Sequence, residues 1–161
     1  MSRLDGTIFG PGQPCFGCGP DHPTGFRLVF RTEESGDARE VVTDFTPGDR
    51  YQGPPGIMHG GLVATLADEI AAWAVIALLG KFGFTAQMTC KLLKPVRTGV
   101  ALEGRGSILR ETARIVQTRA RILQAGEEVF TGDFSFVLLD RSGAEKLLGG
   151  PLPEGWDTFA R

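Results

Sequence analysis

No sign of charge dominates this sequence. Its 161 residues carry 17 Lys plus Arg against 19 Asp plus Glu, a formal charge of -2, so there is no overall field to draw in a polyanion, and nucleic acid is disfavoured as a partner. Cysteine is scarce. Three thiols cannot all pair within one chain, and the opening stretch MSRLDGTIFGPGQP lacks an apolar run that could serve as a signal-peptide core. The expected location is therefore a reducing cytoplasm. Uninterrupted apolar runs of membrane length are missing too: the most apolar segment, Leu62 to Leu79, contains Asp68 and Glu69, each costing about 2.5 to 3.5 kcal/mol near a bilayer centre. It reads as a buried helix of a soluble protein, with no membrane partner.

What is present suffices for one folded domain over residues 1–161. Hydrophobic residues make up 42% and charged residues 22%, enough apolar material to offset the entropy of ordering. Residues 1–24, rich in Gly, Pro and Cys, read as an irregular lead-in, and residues 141–161 as an irregular tail. Between them, Phe26, Leu28 and Phe30 alternate with Arg27, Val29 and Arg31, and a second alternating run covers Val41 to Phe45, predicting a hairpin joined through Glu33 to Asp37. A Gly/Pro loop from Tyr51 to Gly56 delivers His59-Gly60-Gly61. Leu62 to Leu79 then has no internal Gly or Pro, and Gly80 and Gly83 supply a stop. This helix is apolar nearly all round and needs cover on most sides. Strand-like runs at Thr85–Leu93, Val100–Arg110, Ile115–Leu123 and Val129–Leu139, with short connections, favour antiparallel pairing. The expected class is α+β, an antiparallel sheet curled around one long central helix.

The chemistry concentrates at the start of that helix. Free backbone N–H groups and the positive end of the helix dipole, together with glycines that let a ligand approach, suit an oxyanion. Asp68 lies two turns in, on a face with Gly61, Ala64, Thr65, Ala71 and Ala72; Glu69 points about 100° further round, toward Leu62, Leu66, Trp73 and Ile76. A carboxylate near an oxyanion site can activate water or act as nucleophile in acyl transfer. Glu69 reads chiefly as structural, with Trp73 and Ile76 as core residues.

The block from His59 to Asp68, HGGLVATLAD, resembles the signature of hotdog-fold acyl-CoA thioesterases of the phenylacetate-type (PaaI-like) group, in which the acid follows the histidine by nine positions. The lead-in Cys15-Phe-Gly-Cys18-Gly19 and the turn Lys94-Pro95-Val96-Arg97-Thr-Gly99 are similar to segments of the same proteins. The resemblance implies the hotdog fold and hydrolysis of an acyl-CoA to a free acid and coenzyme A. It implies Asp68 as base or nucleophile, the Gly60 N–H on the thioester carbonyl, His59 holding the loop and binding substrate, and Thr85 helping to position water. Where many members carry an Asn six residues before the histidine, this sequence has Gly53, with Gln52 beside it. Gln52, Gly61 and Glu69 complete the candidate set as substrate-binding residues. A cleft between two protomers, hence a homodimer or homotetramer, is implied as well. A hotdog hydratase or dehydratase acting on acyl thioesters, and a non-catalytic acyl-CoA binding module, remain as alternatives.

Cys15-x-x-Cys18 with His22 invites a zinc reading, but a structural zinc usually takes four protein ligands and Cys90 lies far along the chain. A redox pair lacks its usual strand-to-helix context. The cysteines are expected to pack, and neither metal nor cofactor is expected. Lys91, Lys94, Arg97 and Arg114 are cations within reach of coenzyme A phosphates or simply of solvent.

Overall fold

The computed structural model describes residues 4–160. Six strands form one antiparallel sheet, β1 (Phe30–Ser35), β2 (Ala38–Phe45), β3 (Gly83–Leu92), β4 (Leu102–Glu111), β5 (Ile115–Gln124) and β6 (Glu127–Leu138), in the order β1-β2-β4-β5-β6-β3. The 20-residue helix α1 (Gly60–Leu79) lies in the curl of the sheet. The expected α+β architecture is the one observed. Strict alternation produces it: β5 buries Val116, Thr118, Ala120, Ile122 and Gln124 and turns the residues between them outward, as period-two patterning requires of a sheet with one covered face.

α1 buries Val63, Leu66, Ala67, Ile70, Ala71, Trp73, Ala74 and Val75. By length and composition it could cross a membrane, but here that apolar surface meets the inner face of the sheet. Contact is closest at β4. A Cβ on Gly104 would fall 2.3 Å from Ile70 Cδ1, and one on Gly106 would fall 2.8 Å from the Ile70 carbonyl oxygen. Trp73 stacks on Phe30, with ring centroids 4.8 Å apart.

Several boundaries differ from expectation. Phe26 and Leu28 are buried as the alternation predicts, yet β1 starts only at Phe30. Arg27 has a positive φ of 55°, and the Phe26 and Leu28 N–H groups donate to the carbonyls of Phe16 and Gly17 in the lead-in, not to a sheet neighbour. The first hairpin turns within Gly36-Asp37, so both strands run closer to the turn than predicted. The lead-in contains a 3-10 turn, Gly6–Phe9, capped by Asp5, and Phe9 stacks on Trp156 at 4.4 Å. The tail is not wholly irregular: Arg141–Leu148 forms α2. Its signals are an Asp140 side chain that accepts the Gly143 N–H at 2.7 Å and a left-handed Gly149 at the end, a cap and a stop set just far enough apart for two turns.

Candidate active site

α1 starts two residues earlier than its hydrophobic run suggests, because His59 supplies the N-cap. Its Nδ1 accepts the Gly61 N–H at 3.1 Å, and its carbonyl accepts from Leu62 and Val63. The Gly60 N–H, among the described residues, has no acceptor. The two glycines are therefore not equivalent: Gly61 is tied to the cap, and Gly60 keeps a donor for a ligand.

The loop before the cap is held by short bonds. The His59 N–H donates to the Tyr51 carbonyl and the Met58 N–H to the Val96 carbonyl, both at 2.8 Å. Gln52 Oε1 accepts the Gly56 N–H at 3.0 Å, so its amide closes the turn. Gly53 does lie beside the histidine, since a Cβ there would sit 3.4 Å from His59 Cα and Cδ2, but it offers no side chain. Gly60 borders an apolar groove of about 340 Å³ with Met58, Val63, Leu92, Leu93 and Pro95. Lys94 stands at this groove and pairs with Glu127 at 2.7 Å.

Asp68 is half-buried, and Thr85 on β3 donates its hydroxyl to Asp68 Oδ1 at 2.7 Å. Burial raises the carboxyl above its usual range, and the Thr85 bond offsets part of that. Oδ2 accepts no bond from the described residues. Sequence reasoning did not connect Cys90 with this site. Its thiol is raised by burial and then by the Asp68 charge. Five residues from Thr85, Cys90 would face the other way on a regular strand, but β3 shifts register between Thr85 and Gln87, and that bulge resets the alternation.

Glu69 stands apart from these groups and is not brought to the groove. Its Oε1 accepts from Trp73 Nε1 at 3.1 Å, and the Cys15 sulfur lies 3.5 Å and 3.6 Å from its two oxygens. Burial foremost, then the charge of Cys15, pushes Glu69 up to about 8. The Cys18 thiol foremost, along with the backbone N–H groups of Cys18 and Gly17, lowers Cys15 to about 5 against the opposing effect of burial. Cys18 is raised by the same thiol contact and by burial.

Residues 55–131 match the family model of the thioesterase superfamily. An acyl-coenzyme A thioesterase of Xenopus laevis (THEM4) is 36% identical over 61 residues, which are 38% of this chain and 27% of that protein. A thioesterase superfamily protein of known crystal structure shares 29% identity at a TM-score of 0.68, covering 84% of this chain and 70% of its own. Two more distant structures share the fold. One is a phenylacetic-acid-degradation-related protein of Ralstonia eutropha, with 22% identity, TM-score 0.66 and coverage of 81% and 96%. The other is a hypothetical thioesterase of Streptococcus pneumoniae solved with coenzyme A, with 24% identity, TM-score 0.60 and coverage of 68% and 87%.

Proposed function

We propose that this chain, whose residues 55–131 match the family model of the thioesterase superfamily and whose fold is that of a crystallised member, hydrolyses an acyl-CoA thioester to a free acid and coenzyme A in the cytoplasm. The observation that carries the reading is the Asp68 carboxylate, tethered on one oxygen by Thr85 and open on the other, on the same helix whose unpaired Gly60 N–H borders an apolar groove. Water attacks the thioester carbon as Asp68 takes its proton, and the Gly60 N–H receives the developing oxyanion. Collapse of the tetrahedral intermediate expels the coenzyme A thiolate. His59 holds the loop, Thr85 orients the base, and the groove takes the acyl or pantetheine chain.

Eight residues separate Gly60 from Asp68, ~12 Å along the helix axis, too far for both to touch one carbonyl. The reading accordingly has the complete site shared between two protomers, with Gly60 from one and Asp68 from the other. The edge strand β3 supports self-association: Phe84, Met88 and Leu92 are exposed on it, with Leu93 just beyond, and an apolar open sheet edge invites a second strand.

The test is thiol release from a panel of short, long and aromatic acyl-CoAs. Turnover of any of them supports the reading and names the acyl class. Hydration of an enoyl-CoA without thiol release would move the protein to the hydratase class, and saturable binding without turnover of the whole panel would make it a binding module.

A further inference from the structure

The lead-in and α1 bring together three groups that hydrolysis leaves unused. The ligand atoms of Cys15, Cys18 and Glu69 all lie within 4.8 Å of one another, although Glu69 follows Cys15 by 54 residues. Sequence spacing offers two thiols and His22; the fold supplies Glu69 as the third donor instead. The histidine that spacing does suggest is engaged elsewhere, since His22 Nδ1 accepts the N–H groups of Gly25 at 2.8 Å and Thr24 at 3.3 Å.

The arrangement is close to what a tetrahedral cation requires. A zinc ion with bonds of about 2.3 Å to sulfur and about 2.0 Å to oxygen holds those ligands roughly 3.5 Å apart, and the Cys15 sulfur lies 3.5 Å and 3.6 Å from the Glu69 oxygens. The turn is drawn tight around this point. The Cys18 N–H faces the Cys15 sulfur at 3.5 Å, and the Gly19 N–H donates to the Cys15 carbonyl at 2.9 Å. A Cβ on Gly17 would fall 2.3 Å from the Glu69 carboxyl carbon, and one on Gly19 would fall 2.6 Å from the Cys15 carbonyl oxygen, so a larger residue would press on the carboxylate at the first place and open the turn at the second. Trp73 Nε1, bonded to Glu69 Oε1 at 3.1 Å, holds the carboxylate in place, as outer-shell donors do for metal ligands.

We propose that Cys15, Cys18 and Glu69 form a binding site for one thiophilic divalent cation of the zinc class, with water in the fourth position, fastening the lead-in to α1. Cys15 and Glu69 are only partly buried, which leaves room for that water. The site faces a different side of α1 from Asp68 and stands whether or not the protein is a hydrolase.

The experiment uses the untagged full chain, purified under reducing conditions, stripped with a chelator and titrated with Co²⁺ and then Zn²⁺. The expected result is one equivalent of Co²⁺ with sulfur-to-cobalt charge-transfer absorption, displaced by Zn²⁺, and a thermal midpoint that rises with Zn²⁺. Cys15→Ser and Cys18→Ser should each weaken the charge transfer, and Glu69→Gln should weaken affinity ~10-fold or more while the sulfur band persists. Should the serine variants fail to fold, the wild-type spectrum still decides. Folded wild type that shows no charge transfer at excess Co²⁺, or binding that Glu69→Gln leaves unchanged, overturns the proposal.

Discussion

Asp68 and Glu69 are neighbours in sequence with separate surroundings, and substitutions should separate them. Asp68→Asn keeps the shape, still accepts from Thr85 and loses the base, so turnover should fall by roughly 100-fold or more with acyl-CoA binding retained. Glu69→Gln should change turnover far less, as kcat and KM measured on both variants will show; the reverse order would move the catalytic role one residue along the helix. A rate that needs ionised Asp68 declines as pH falls through its folded pKa, which burial places above the ordinary 3.8. Thr85→Val deletes the bond that pulls this value down, so the acid limb of the pH–rate profile should shift to higher pH. Stability follows the opposite sense. Because folding raises this pKa, the folded chain holds the proton more tightly, and stability declines as pH climbs from 3.8 through the folded value. Asp68→Asn should therefore be neutral or stabilising above that window, which a thermal melt against pH would reveal. The Thr85–Asp68 contact and the His59 cap at the start of α1 lie where the sequence pattern put its candidates. The division of labour between Gly60 and Gly61 was not legible in that pattern, since it depends on which N–H the His59 ring captures. The cysteine partners of Glu69 were hidden for a different reason: Cys15 lies 54 residues upstream, in a segment whose path no periodicity encodes.

At the scale of elements, the packing of α1 against β4 depends on two glycines. Gly106→Ala puts a methyl 2.8 Å from the Ile70 carbonyl oxygen, and Gly104→Ala puts one 2.3 Å from Ile70 Cδ1. A side-chain tip can rotate away and helix backbone cannot. Gly106→Ala should therefore be the more destabilising, at about 1–3 kcal/mol for overpacking, seen as a lower urea midpoint; equal midpoints for both variants would refute the distinction. The long helix could be read from its length and its freedom from internal Gly and Pro, and β4, β5 and β6 because period and length agree in each. The start of β1 could not, because the alternation through Phe26 and Leu28 reports burial alone, and burial there is against the lead-in backbone. α2 escaped because it is only eight residues long: Ala144, Leu147 and Leu148 recur at helical spacing, but that is a single repeat of the period, and only Ala144 is buried.

For the whole molecule, the proposed sharing of the site between protomers would make assembly a catalytic matter, and complementation can test it. Gly60 is the first helical residue, where proline is tolerated, and His59, at φ -59° and ψ 129°, already has the extended backbone that precedes proline. Gly60→Pro should keep the helix and remove the N–H, lowering turnover by roughly 100-fold or more. Mixed and re-annealed with Asp68→Asn, it should restore roughly a quarter of wild-type activity, because half of randomly paired dimers hold one intact cleft of two. No recovery in verified mixed dimers would sink the shared site. The strand order has a further consequence, for the chain as it leaves the ribosome. β3 pairs with β6 and with no earlier strand, so it must wait until Glu127–Leu138 has emerged. At about 5–20 residues per second that interval lasts several seconds, during which the apolar residues of β3 and the sheet-facing side of α1 are uncovered together. The emerging chain thus passes through a stage in which its stickiest segments have no native partner, and slowing translation between residues 92 and 127 should lengthen the window for chaperone capture or aggregation.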